Sequence, residues 1–163
     1  MEKSDEDRDR ARVRVSVRVH APAREVWAAL TDWPAQSRWI TATRVRTVGG
    51  DGQGVGAGRI EAFTGLGRLG FLDTMEVTEW RPPTWCAVRH TGSVVRGTGA
   101  FEIVQAEVEA DGSTLTWHED LEIPGGAFGA RGFAMVRPVV ESMVLRSLRR
   151  FARLVERNSA EGA

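Results

Sequence analysis

The sequence predicts an α+β domain: one strand, two short helices, about six more antiparallel strands, then a long C-terminal helix. Three observations carry this. Residues 12–20 alternate strictly, with Val13, Val15, Val17 and Val19 on one face and Arg12, Arg14, Ser16 and Arg18 on the other, the mark of a half-buried strand. From residue 42 to 123, short apolar-alternating runs recur between Gly- and Pro-bearing breaks. Beyond Pro124-Gly125-Gly126 the period becomes helical and stays so to about Arg157.

The elements follow in order. After the first strand, Pro22 suits a first helical turn, and Val26, Trp27, Ala29 and Leu30 repeat with helical spacing. Asp32 and Pro34 interrupt that helix and open a second short one, roughly residues 35–40. Strands are expected at 44–48, 55–63, 69–80, 85–91, 99–109 and 114–123. Gly56 and Gly58 mark a bend in the second of these, Pro82-Pro83 a corner, and Asp111-Gly112 a hairpin turn. Pro138 splits the last segment into an irregular lead, 127–137, and a long helix from Pro138 to about Arg157. Its inner stripe is Val140, Val144, Ser147, Phe151 and Leu154.

Composition narrows the function. The 163 residues fit one domain, with residues 1–10 and 159–163 as polar tails around residues 11–158. Lys+Arg and Asp+Glu are 22 each, so no net field recruits nucleic acid. The single cysteine, Cys86, allows no internal disulfide, and the charged N-terminus lacks the apolar core of a signal peptide. No apolar run is long enough to span a membrane, so a cytoplasmic protein is expected. His20, His90 and His118 lie far apart, with no metal-binding spacing, and no metal or cofactor is expected. The glycines of GGDGQGVGAG, residues 49–58, have no P-loop lysine and no following helix, so they read as turn and bulge.

The segment VRVHAPAREVWAALTDWPAQSRWI (Val17 to Ile40), TEWRPP (Thr78 to Pro83), DGSTLTW (Asp111 to Trp117) and an arginine-rich final helix occur in an order that resembles the START-like, or SRPBCC, superfamily. The likeness is to its polyketide cyclase/dehydrase and lipid-transport branch, over residues 11–157. The resemblance implies a helix-grip fold, a curved sheet wrapped on the C-terminal helix, with an apolar cavity between them for a hydrophobic small molecule such as a lipid, quinone or polyketide. Carriers and enzymes share that fold, so function has to be argued from the site. Three readings stand: a carrier or binding protein, a cyclase/dehydrase-like enzyme, and a protein-interaction module using RSLRRFARLVER (Arg146 to Arg157). That arginine-rich stretch has the pattern of a solvated face; contact with an anionic membrane surface is its other reading.

Candidate site residues come from strand parity. Asp73 shares a face with Leu69, Phe71, Met75 and Val77, and Glu119 with Leu115, Trp117 and Leu121. A carboxylate aimed into an apolar space must pair, reach solvent or hold a proton, and a carboxyl so perturbed can serve as a general acid or base. Salt bridges to Arg59, Arg89 or Arg137 would satisfy both without any catalytic role. Arg89 and His90 sit on opposite faces of one strand: Arg89 inward would offer a fixed donor to a carbonyl, His90 inward a proton shuttle. The pocket wall is expected from Trp39, Phe63, Phe71, Met75, Trp85, Phe101, Trp117, Phe133, Met135 and Met143, with Arg137 at its mouth; the same aromatics could instead fill a core. The glycine-bearing loops 65–67 and 92–99 are the candidate gate.

Overall fold

The computed structural model describes residues 10–107, 112–122 and 126–161, without the side chains of 126–128 and 130. Most of the N-terminal charge run, Asp111 of the hairpin signal, the end of the last strand at Ile123, and the Phe128 side chain lie outside the described residues. Strand β1 (Arg10–Val19) leads into α1 (Ala23–Thr31) and a 3-10 turn (Pro34–Arg38). Then come β2 (Thr43–Val48), β3 (Arg59–Leu66), β4 (Leu69–Arg81), β5 (Trp85–Thr91), β6 (Arg96–Gln105) and β7 (Ser113–Glu122), and last α2 (Gly126–Glu161). All seven strands form one antiparallel sheet, in the order β1-β7-β6-β5-β4-β3-β2. This is the expected α+β helix-grip architecture.

The alternation of β1 has the predicted cause. Val13 and Val19 are buried while Arg10, Arg12, Arg14 and Arg18 face solvent on the outer face. On that face Arg10 and Arg12 reach Asp120 of the neighbouring strand. The inner face packs on α2 through Leu148, Phe151, Ala152 and Val155, all at most 7% exposed. Leu148, Phe151 and Val155 each stabilise the fold by about 1.5–3 kcal/mol by this burial. Within α1, Val26, Trp27 and Leu30 close the core, and Trp27 meets Trp80 edge to face with ring centroids 4.9 Å apart. Trp80 can do this because the β4·β5 register shifts between Val77 and Glu79, turning the strand's last residues over.

Three sequence expectations change, one of them at β6, which runs from Arg96 to Gln105 and not over 99–109, so that part of the expected 92–99 loop is strand. The residues before Pro138 are not an irregular lead: α2 is one helix of 36 residues with Pro138 inside it. A proline removes one backbone hydrogen bond but leaves the turns on either side intact, so a long helix can run through it with a bend. The segment 55–58 is not strand, and β3 starts at Arg59. There the chain folds as a compact turn, where Gly52 N–H meets Ala57 O and Gly58 has φ +106, a conformation that favours glycine. The Trp33 indole N–H donates to Gly52 O (3.0 Å) and ties this turn to the 3-10 segment.

Candidate functional site

Strand parity brings Asp73 (β4), His90 (β5) and Glu119 (β7) to the inner face of the sheet. Met75 pairs with His90, His90 with Gly97, and Gly99 with Glu119, so three strands deliver the three groups to one place. His90 Nδ1–H donates to Asp73 Oδ2 at 2.8 Å, and His90 Nε2–H donates to Glu119 Oε2 at 3.1 Å. The Trp117 indole N–H donates to the other Glu119 oxygen at 2.6 Å. Gly99 makes room for this: a Cβ there would stand 3.1 Å from both Glu119 carboxylate oxygens. The His90 side chain is 5% exposed, Asp73 11% and Glu119 15%.

The electrostatics follow from that geometry. Burial opposes charge on the imidazole, yet the hydrogen bonds to Asp73 and Glu119, with their negative charge, outweigh it and push the His90 pKa up to about 10. At neutral pH the ring is therefore an imidazolium, donating from both nitrogens. Asp73 Oδ1 is left buried with no hydrogen-bond partner among the described residues. Asp73 itself lines a cavity, so a small rotation of its carboxyl would offer this orphaned oxygen to a donor there.

Asp73, His90, Trp117 and Glu119 form one wall of a cavity of about 120 Å³ bounded by described residues. Gln36 of the 3-10 segment, the flanking Trp33 and Ile40, and apolar Val45, Ala62, Met75, Val88 and Phe101 also line it, and no described residue of α2 does. A second polar spot is the hydroxyl pair Thr43–Thr64, 3.0 Å apart. Cys86 also lines the space, but burial pushes its thiol pKa up to about 12, which makes it a poor nucleophile.

The remaining candidates from the sequence are distributed as follows. Met75, Phe101 and Trp117 line the cavity. Trp39 is core, 2% exposed, against Trp117 and Phe151. Phe63 lies on the outer face under the Arg44 guanidinium, and Trp85 on the outer face between Arg81 and His118. Arg89 points outward to Glu76 (3.3 Å), opposite to His90. Arg59 pairs with Glu61 and Arg137 with Glu141, so neither meets Asp73 or Glu119. Phe71 is 39% exposed where β4 overhangs β5, and Met135 and Met143 are exposed on α2, with Phe133 half-buried. Sequence reasoning missed Gln36, Thr43, Thr64 and Gly99. Thr64 shares parity with Ile60 and Ala62 and was findable; Gln36 sits in a 3-10 turn, where no strand period applies.

A curved sheet gripping a helix, with a small cavity that has one polar wall, is an architecture shared with known proteins. The chain belongs to the polyketide cyclase/dehydrase and lipid transport family, whose model matches residues 10–156. Solved structures share the fold. Zhui aromatase/cyclase from Streptomyces sp. R1128 is 20% identical, with TM-score 0.73 over 92% of this chain and 96% of that one. The di-domain aromatase/cyclase StfQ of the steffimycin biosynthetic pathway is 11% identical, with TM-score 0.74, and this chain spans 55% of it. DR_A0006 from Deinococcus radiodurans is 17% identical, with TM-score 0.65 over 91% and 99% of the two chains. No curated protein matches by sequence.

Proposed function

We propose that the chain binds a small hydrophobic molecule bearing a hydroxyl, enol or enolisable ketone, and that Asp73 moves a proton on it in a cyclisation or dehydration. One observation carries this: Asp73, His90 and Glu119 are hydrogen-bonded together along a cavity that they help to line, and one carboxylate oxygen of the cluster, Asp73 Oδ1, is buried with no partner among the described residues. A carrier of purely apolar cargo has no use for three buried ionisable groups, each costly to desolvate.

The chain's own groups divide the work. The His90 imidazolium donates to both carboxylates, fixing their rotamers and compensating their charge. Glu119 accepts one hydrogen bond on each oxygen, from His90 and from Trp117, so it orients His90. Asp73 Oδ1 accepts the ligand's O–H, or takes a proton from carbon alpha to a ketone and returns it to the departing hydroxyl. The apolar walls exclude water that would compete for that oxygen. A cavity of about 120 Å³ accepts about one ring, compared with about 150 Å³ for an engineered cavity that takes benzene. Larger ligands would extend toward the overhanging β3–β4 arm, where Leu66, Leu69 and Phe71 are exposed. The neighbours named as aromatase/cyclases favour this reading over a simple carrier.

Native mass spectrometry of the protein from its own source, followed by denaturing extraction, tests the reading. It predicts a stoichiometric ligand with at least one hydroxyl or ketone, and solvent deuterium entering that ligand beside the ketone faster with the native protein than with Asp73→Asn. A saturated hydrocarbon-like ligand, or equal exchange rates, would overturn it.

A further inference from the structure

The outer face of α2 has a feature that the cavity does not use. Met135 is 83% exposed, Val139 61%, Val136 50% and Met143 49%. At 100° per residue these four fall within about 100° of arc, centred roughly a third of a turn from the buried stripe of Ser147, Leu148, Phe151 and Val155 and running up to its edge. Apolar side chains so exposed and so aligned are not a solvated face.

Further along the helix the same sector changes character. Arg146, Arg150, Arg153 and Arg157 fall within about 60° of arc, in line with Met135 and Val139, and Arg149 lies beside them. All five are exposed. Residues 142–157 contain one acid, Glu156, and its carboxylate is taken by the His20 backbone N–H at 2.9 Å. One continuous helix face is thus apolar for its first half and strongly cationic for its second, along about 33 Å from Met135 to Arg157.

We propose that this face docks α2 on an anionic lipid bilayer, the Met/Val half in the headgroup–acyl boundary and the arginines against lipid phosphates. Charge complementarity selects the occupant. Five arginines against one acid want a negative surface, and a nucleic acid would offer the four apolar side chains nothing to bury in. A bilayer interface serves both halves at once, since arginine stems lie along apolar surface while their heads reach phosphate.

The test is co-sedimentation of the full chain with vesicles, at 50 mM and 500 mM salt. One set is 30% phosphatidylglycerol in phosphatidylcholine, the other pure phosphatidylcholine. The chain should partition at least tenfold better to the anionic vesicles at low salt and lose most of that at high salt. Each of Arg146→Gln, Arg150→Gln and Arg153→Gln should lower the partition coefficient about fivefold. The double variant Val136→Ser/Val139→Ser should lower it severalfold while thermal melting stays within about 2 °C of the parent, because both positions are exposed. Failure to sediment with anionic vesicles at 50 mM salt would overturn the proposal. So would undiminished binding by the Val136→Ser/Val139→Ser variant, which would leave the arginine charge alone holding the chain to the vesicle and give the Met/Val half no part in docking.

Discussion

Raising the pH from 7 to 9 should weaken the fold by about 2–3 kcal/mol through the His90 imidazole alone. The folded-state pKa of about 10 lies above the ordinary 6.5 of an unfolded histidine. Between those values the folded protein holds one proton that the unfolded chain has released. Stability then falls with pH by about 1.4 kcal/mol per unit. The contribution is fully present below pH 6.5 and gone above about pH 10. The chain suits the experiment: it has no tyrosine and a single lysine, Lys3, so few other groups titrate in this window. Cys86, raised from 9.0 to about 12, adds a loss of the same sign only as pH rises toward 9 and beyond. The assay is urea denaturation at half-unit steps from pH 7 to 9, on the parent and on His90→Gln. The parent should show the slope and the variant should not. A flat parent profile, or an equal slope in both, would refute the account of His90 as a buried imidazolium.

Other outcomes follow from the same geometry. Leu148→Ala empties a fully buried contact between α2 and the core and should cost about 2–5 kcal/mol, read by urea denaturation at pH 7. Gly97→Ala should destabilise by more than about 1 kcal/mol, because φ is +122 and a Cβ would stand 2.2 Å from Asp120 O; a neutral result would mean that β6 can shift there without loss. Gly99→Ala crowds both Glu119 oxygens, so the His90 titration midpoint followed by NMR should drop by about a unit or more; an unchanged midpoint would show that the carboxylate yields without leaving His90.

The fold was readable because its signals are local. The valine–arginine alternation of β1, the Pro22 and Pro34 breaks, and the long helical period before Arg157 each name their element without reference to partners. Pro138 misled because a single proline marks a helix end only where nothing else sustains the helix. The site was half readable. Parity put Asp73 and Glu119 inside, but it could not choose between Arg89 and His90, since both faces of β5 mix polar and apolar residues. The pairing of His90 with both carboxylates depends on the register of three strands, and register across a sheet is written in long-range packing. Phe63 and Trp85 show the same limit: large aromatics sit on the outer face because Arg44 and Arg81 cover them.

The most direct test of the site's role is a comparison of two molecules of nearly one shape, phenol and toluene, titrated calorimetrically into the ligand-free protein at pH 7. If Asp73 Oδ1 is a buried acceptor awaiting a donor, phenol should bind at least tenfold more tightly, a margin set by one hydrogen bond to a charged group at about 1.5–3 kcal/mol. Toluene binding as well as phenol, or better, would contradict the account and leave the cavity a purely apolar one.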